Sequence, residues 1–180
     1  MIVCIFDTET TGLIENHSRK LDKQPEVIEF AAVWAEWDDI DTIVAQYECL
    51  IKPQLGPLSD KVKSVTHLSD DDLANEAVFE QVSDKIQAML TATPIICGHN
   101  LSYDMEIIDL EYERLKRRIR WPATKICTVE QTIHVTGNRI SLGDLHLRLT
   151  GQPHTNAHRA MEDVMATHRC LREIRAQGWL

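Results

Sequence analysis

The chain has no apolar run approaching the roughly 20 residues that a membrane-spanning helix needs. A helical membrane anchor within it is therefore excluded. Residues 1–6 carry no basic segment and no small-residue cleavage site, so they do not read as a secretion signal. Paired C-x-x-C motifs are missing too: Cys4, Cys49, Cys97, Cys127 and Cys170 are scattered. An odd number of cysteines in mostly apolar segments argues for reduced thiols, against a disulfide framework and against a zinc site. The expectation is a cytoplasmic protein that is not secreted and makes no membrane contact. Internal repeats, low-complexity segments and linkers are also absent. A length of 180 residues suits one domain, 1–180, with a full hydrophobic core.

Positive charge is in short supply. Lysine and arginine number 19 against 28 aspartates and glutamates, for a net charge of −9. Taken alone, that balance argues against a nucleic-acid binder, which usually carries a basic surface. The objection weakens if several carboxylates are metal ligands, because bound cations would offset much of the deficit. Binding would then depend on the metals and on local basic residues, not on global attraction.

What is present falls into an ordered pattern. Residues 1–6 form a short apolar run ending at Asp7 and read as a buried strand. Residues 13–25 are polar, lack periodicity and end at Pro25, which predicts a loop. Val27 to Trp37 and Ile43 to Ile51 are rich in β-branched and aromatic residues, and the acidic turn from Asp38 to Asp41 joins them as an antiparallel hairpin. After Pro53 the pattern changes. Helices are predicted over Ser59–Thr66, Glu76–Leu90, from Asn100 or Ser102 to about Arg117, Ser141–Leu149 and Ala157–Arg175, with short strands at Pro94–Cys97 and Lys125–Cys127. Three leading strands followed by alternating helices and strands make an α/β fold, a mixed sheet flanked by helices.

Three segments of this pattern carry chemistry. Asp7 and Glu9 are two apart, so on a strand they point to one face. Carboxylates side by side at the end of a buried strand repel each other unless a cation sits between them. The plainer alternative is a strand end exposed to water. Thr8, Thr10, Thr11 and Gly12 continue the turn, where backbone N–H groups could meet a sugar or phosphate. Asp104 follows an apolar strand and the turn Gly98-His99-Asn100. It suits either a ligand crevice at the carboxyl end of a sheet or simple stabilisation of a helix N-terminus. Asn100 itself reads better as a helix cap than as a catalytic group.

His158 and Asp163 are five apart, which on a helix puts them roughly 140° from each other. They converge only if His158 lies at the entry to the helix and Asp163 more than one turn inside, with Asn156 as a plausible cap. For a lone histidine a surface position is the commoner case. Arg114, Lys116, Arg117, Arg118 and Arg120 form the one dense basic run, suited either to phosphate contact or to the helix C-terminal dipole. Trp34, Trp37, Trp121 and Trp179 fit a core or an interface better than base stacking.

Taken in order, these motifs resemble the DEDDh 3′–5′ exonucleases, the group that includes the epsilon proofreading subunit of bacterial replicative polymerases. Asp7-Thr8-Glu9-Thr10-Thr11-Gly12-Leu13 is similar to the first motif, and Val27-Ile28-Glu29-Phe30-Ala31-Ala32-Val33 to the second strand. His99-Asn100-Leu101-Ser102-Tyr103-Asp104 matches the middle motif, and His158-Arg159-Ala160-Met161-Glu162-Asp163 the H-x-A-x-x-D motif. Ile51-Lys52-Pro53 and Val65-Thr66-His67 are similar to family landmarks between them.

The resemblance implies a ribonuclease H-like fold, two Mg²⁺ or Mn²⁺ ions, and release of nucleoside 5′-monophosphates from a 3′ end. Asp7, Glu9, Asp104 and Asp163 would hold the metals, and His158 would act as general base. Thr8, Thr10, Thr11, Asn100 and His67 are the expected substrate contacts. Oxygen-only ligands favour Mg²⁺ or Mn²⁺ over zinc. Three departures stand out: the long polar loop Ile14–Pro25, Tyr103 where phenylalanine is frequent, and Leu68 after His67 where glycine is common.

The leading expectation is a proofreading-type exonuclease on single-stranded DNA, with a polymerase or a single-strand-binding protein as partner. An RNA exonuclease of the ribonuclease T or oligoribonuclease kind is the alternative within the same chemistry. A non-catalytic nucleic-acid-binding module is the alternative outside it, and it does not require a general base.

Overall fold

The computed structural model describes residues 1–155 and 157–180, so the expected cap at Asn156 lies outside the described residues. Strands β1 (Ile2–Thr10), β2 (Val27–Glu36) and β3 (Ile43–Leu50) lead, followed by helices α1 (Asp60–Thr66), α2 (Asp70–Leu73) and α3 (Phe79–Thr91). Strand β4 (Ile95–Gly98), α4 (Leu101–Arg114), β5 (Thr124–Cys127), α5 (Thr128–Thr136), α6 (Leu142–Thr150) and α7 (Ala160–Ala176) complete the order. The sheet runs β3-β2-β1-β4-β5. The β1–β2 and β2–β3 pairs are antiparallel, while β1–β4 and β4–β5 are parallel. No helix among the described residues is long and apolar enough to cross a membrane.

Strand alternation divides the core in two. Cys4, Phe6, Phe30, Ala32 and Trp34 face one layer, packed with Phe79, Ile86 and Leu90 of α3 and Ile107, Ile108 and Tyr112 of α4. Val3, Ile5, Ala31, Val33 and Ala35 face the other, packed with Ala160, Val164 and Leu171 of α7. Each valine, leucine, isoleucine or phenylalanine among them contributes about 1.5–3 kcal/mol when fully buried. The period-2 rule extends these rows past the core. Asp7 and Glu9 continue the row of Val3 and Ile5, towards α7, while Thr8 continues the row of Cys4 and Phe6, towards α4.

Most expected elements form close to their predicted bounds, and the departures have local causes. Helix α3 begins at Phe79, three residues later than predicted, because Gln81 Oε1 accepts from the Val78 N–H and fixes the start there. Helix α4 stops at Arg114 instead of Arg117, since Lys116 takes a left-handed conformation with φ 56°. Helices α2 and α5 were not anticipated. The first is one turn closed by a reciprocal Ser69–Asp72 capping box. The second follows β5 without a break and ends at left-handed Gly137.

The 13–25 segment is indeed non-repetitive, apart from a 3₁₀ turn at Leu21–Lys23, but it is tied down. Gln24 Nε2 donates to the carbonyls of Glu15 and Ser18, and its Oε1 accepts from the Glu15 N–H at 2.9 Å. Arg114 Nη2 donates to the carbonyls of Leu21, Gln24 and Pro25 at 2.9–3.0 Å. Arg117 pairs with Asp84 across to α3. Two members of the basic run are thus occupied within the fold.

Candidate active site

Four segments meet at the carboxyl ends of β1 and β4. A Cβ on Gly98 would approach Leu101 Cδ1 to 3.1 Å and the Phe6 carbonyl oxygen to 3.4 Å, so glycine lets α4 start close against β1. That brings Asp104, 3% exposed, beneath the turn after β1. Its Oδ1 accepts from the Thr8 backbone N–H at 3.0 Å and from the Thr8 hydroxyl at 2.7 Å. Asn100 occupies the position before α4 in a left-handed conformation, φ 60°, and its side chain makes no capping bond. It accepts from Arg139 Nη2 at 2.5 Å instead, so the expected cap is corrected.

On the α7 side the helix starts at Ala160, not Ala157, which leaves His158 outside it at φ 69°. Asp163 is the fourth helical residue, within the first turn and not beyond it. The left-handed residue turns the chain enough to cancel the helical angle between the two positions. Asp163 Oδ2 accepts from the His158 backbone N–H at 3.2 Å. One ligand atom each from Glu9, His158 and Asp163 lies within 4.8 Å of the others.

The electrostatics describe a crowded acidic centre. Burial, and then the charges of Asp104, Asp163, Glu9 and Glu29, push Asp7 well above the usual carboxylate range. Burial, followed by Asp163, Glu29 and Asp104, raises Glu9 to about 8, with Arg159 pulling the other way. Burial also raises Asp104, against the lowering effect of the Thr8 hydrogen bonds. Carboxylates that hold protons for want of a counter-charge form a donor set that suits hard divalent cations. Asp7, Glu9, Asp104 and Asp163 therefore fit the metals that the motifs imply.

A cavity of about 620 Å³ opens beside this centre. Glu9, the turn from Thr10 to His17, Lys61 and Val62 of α1, Tyr103 and His158 line it. Thr8, Thr10 and Thr11 all reach this wall, but their hydroxyls have protein partners: Asp104, the Gly12 carbonyl at 2.7 Å and the Glu26 N–H at 2.9 Å. The Tyr103 hydroxyl, the departure from phenylalanine, donates to the Gly12 carbonyl at 2.9 Å and lies 3.1 Å from Thr10 Oγ1. It braces the turn that follows the acidic pair. His67 is the left-handed C-cap of α1 and lines a separate depression with Glu29, Glu48 and Arg159. Asn100 lines a third, smaller one with Leu13 and Tyr103.

Two contacts escaped sequence reasoning. Asp163 Oδ1 is in contact with His154 Nε2, and nothing in the spacing signals that histidine. Glu29, 2% exposed, sits opposite Glu9 in the β1–β2 register and binds Arg159. Its signal was available: it is the one carboxylate inside an otherwise apolar stretch from Val27 to Ala35.

A family profile described as exonuclease matches residues 4–171. The chain belongs to the exonuclease family. It is 32% identical over 180 residues to a DNA polymerase III of PolC type from Staphylococcus saprophyticus, covering 97% of this chain and 12% of the relative. The chain thus spans about an eighth of that relative's length. Among solved structures it resembles Exonuclease X in complex with 5′-overhanging duplex DNA, with a TM-score of 0.69 and 22% identity over 99% of this chain and 94% of that one. It also resembles the nuclease domain of 3′hExo, a DEDDh family member bound to rAMP, with a TM-score of 0.76 and 16% identity over 98% and 92% of the two chains. These likenesses bear out the ribonuclease H-like architecture of this exonuclease chain, a mixed five-stranded sheet flanked by helices.

Proposed function

We propose that the chain is a metal-dependent 3′–5′ exonuclease that hydrolyses single-stranded DNA from its 3′ end and releases nucleoside 5′-monophosphates. The observation that carries this is the cluster of Glu9, His158 and Asp163 beside the 620 Å³ cavity, with Asp7 and Asp104 near enough for the carboxylate charges to act on one another. A binding module would gain nothing from crowding four carboxylates into a site where burial and neighbouring charges push Asp7, Glu9 and Asp104 above the usual carboxylate range. The family membership supports hydrolysis, and the polymerase relative supports DNA ahead of RNA. A replicative polymerase is the partner this reading favours.

The cavity receives the 3′-terminal nucleoside, with the Thr10–His17 turn as one wall and α1 as the other. Tyr103 keeps that turn in place. Asp7, Glu9, Asp104 and Asp163 would hold two Mg²⁺ or Mn²⁺ ions, which supply charge neutralisation and Lewis-acid polarisation at the scissile phosphate when bound. An imidazole nitrogen of His158 takes a proton from the attacking water as its oxygen bonds to phosphorus. The bond from phosphorus to the 3′ oxygen of the preceding nucleotide breaks. That oxygen gains a proton from solvent, leaving a new 3′ hydroxyl and a free 5′-monophosphate.

The test offers matched labelled DNA and RNA oligonucleotides, single- and double-stranded, with Mg²⁺, Mn²⁺ or chelator. Stepwise mononucleotide release from single-stranded DNA is expected. Faster release from RNA of the same sequence would reassign the substrate, endonucleolytic products would overturn the exonuclease reading, and release from the 5′ end would overturn the polarity.

A further inference from the structure

The junction between His158 and α7 is held by a residue from a different part of the chain. Glu29 lies on β2, in the row that faces α7 and directly opposite Glu9. Its neighbours in that row, Ala31 and Val33, are apolar and fully buried. A carboxylate there is costly to desolvate, and exchanging a buried ion pair for packed apolar groups is often neutral or stabilising. Stability alone does not account for Glu29.

Among the described residues, the hydrogen-bond partners of its side chain come from one two-residue segment. Arg159 Nε donates to Oε1 and Oε2, both at 3.2 Å, and Arg159 Nη2 donates to Oε1 at 3.0 Å. The Ala160 backbone N–H donates to Oε2 at 3.2 Å. Arg159 precedes α7 but provides no side-chain cap for it. Glu29 therefore supplies, from the sheet, the acceptor and the negative charge that a helix N-terminus lacks. His158 next door holds a left-handed backbone, which a residue with a Cβ keeps only where its surroundings impose it. On one side the Asp163 carboxylate imposes it through the His158 N–H, and on the other the Glu29 clamp fixes the following residue.

We infer that Glu29 and Arg159 are positioning residues, a clamp that sets His158 and Asp163 against Glu9. The inference rests on the exonuclease reading of that site. It differs from a purely structural role in what it changes: the folded protein's rate with bound substrate falls, whatever the melting temperature does, while affinity stays.

The experiment compares wild type with Glu29→Gln, Arg159→Met, Arg159→Lys and the Glu29→Gln/Arg159→Met double variant. Each is assayed for kcat and KM on a labelled single-stranded oligonucleotide at saturating Mn²⁺, and for melting temperature. Every variant is expected to lose roughly 10–100-fold in kcat with little change in KM, as a small misplacement of reacting groups does. Arg159→Lys should fall with the rest, because an ammonium keeps the charge and loses the two-pronged geometry. The double variant should be no worse than the poorer single one, since both break one interaction. A folded variant with wild-type kcat overturns the clamp, as do losses that multiply in the double variant. Should a single variant fail to fold, the double variant decides the matter, because removing both partners leaves no unpaired charge beside α7. A second readout needs no turnover. Hydrogen exchange of the His158 and Ala160 amides should quicken in Glu29→Gln and Arg159→Met, and unchanged exchange overturns the clamp. If wild type degrades no substrate, the exonuclease reading fails while the amide measurement still judges the clamp.

Discussion

The two sides of the acidic centre are built differently. Asp104 is buried at the start of α4 and fixed by two hydrogen bonds from one residue, Thr8, on the neighbouring strand. His158 is exposed, sits outside any helix, and depends on Asp163 and on the Glu29–Arg159 pair for its backbone conformation. The first side is preformed by packing. The second is a tethered junction, anchored by a sheet residue more than a hundred positions away in the chain. Chemistry that needs a fixed ligand and an accessible base gains from this division, since a base must reach solvent to give up the proton it takes.

Removing metal should produce the largest effect and erase the contrast. Thorough demetallation is expected to abolish mononucleotide release, and excess chelator should keep it abolished. Undiminished cleavage under those conditions would sink the metal-dependent reading. The metal-free protein should also show an unusual pH profile. Glu9 moves from the ordinary 4.5 to about 8 in the fold, so the native state keeps that proton longer than the unfolded chain does. Its contribution to stability is complete below pH 4.5 and is lost as pH rises towards 8. Asp7 and Asp104 shift in the same direction. The melting temperature of metal-free protein should therefore fall between pH 5 and 8, and Mg²⁺ or Mn²⁺ should restore it most strongly at the alkaline end. A melting temperature that climbs over this range without metal would contradict the carboxylate crowding.

Substitution can separate the two roles on the tethered side. His158→Ala should lower turnover by roughly 10²–10⁴-fold while Mn²⁺ binding, followed by calorimetry, stays largely intact. Asp163→Ala should impair both. Wild-type single-turnover rates in His158→Ala would remove that residue from proton transfer.

On the packed side, Thr8→Val keeps shape and deletes the hydroxyl that bonds Asp104. A hydrogen bond to a charged partner contributes about 1.5–3 kcal/mol. The expected outcome is a loss of that size in chemical denaturation of the metal-loaded protein, with a smaller drop in turnover than His158→Ala gives. A change in turnover exceeding the His158→Ala loss would mean that Asp104 is held less firmly than its hydrogen bonds imply.

The smallest effect should come from the polar loop. Arg19, Lys20 and Lys23 are exposed, and residues 14–17 of the same loop line the cavity. Replacing all three with serine should leave folding and maximal rate nearly unchanged. It should weaken single-strand binding and flatten its salt dependence, by up to about 0.7 in log–log slope for each phosphate that is no longer neutralised. Equal affinity and equal slope would make the loop a solvated surface.

What was legible in the sequence followed from short-range rules. The i and i+2 placement of Asp7 and Glu9 fixes their common face, and the hairpin and the α6 and α7 patterns survive nearly intact in the fold. Ser59 and Ser141, where two helices were expected to start, cap those helices from just outside them. What was illegible depends on partners distant in the chain or on backbone conformations without a residue signature. The α7 start shifts by three residues because its first N–H bonds Glu29, 131 positions away. Asn100 and His158 adopt left-handed geometry without being glycine. Arg114 and Arg117 look like a phosphate-binding run until their partners in the loop and in α3 are in view.

The pairing of Glu9 with Glu29 carries a last consequence, for how the chain tolerates insertion and deletion. Side chains alternate along a strand, so losing one residue of β2 between Glu29 and Ala35 would turn Glu29 to the α4 face while the rest of the hairpin kept its register. Both faces of the strand would still be apolar, because Val27 to Ala35 is apolar apart from Glu29. The junction before α7 would lose its anchor. A change of length far from His158, in a strand that touches no substrate, is therefore expected to damage this site more than the replacement of many residues that line the cavity.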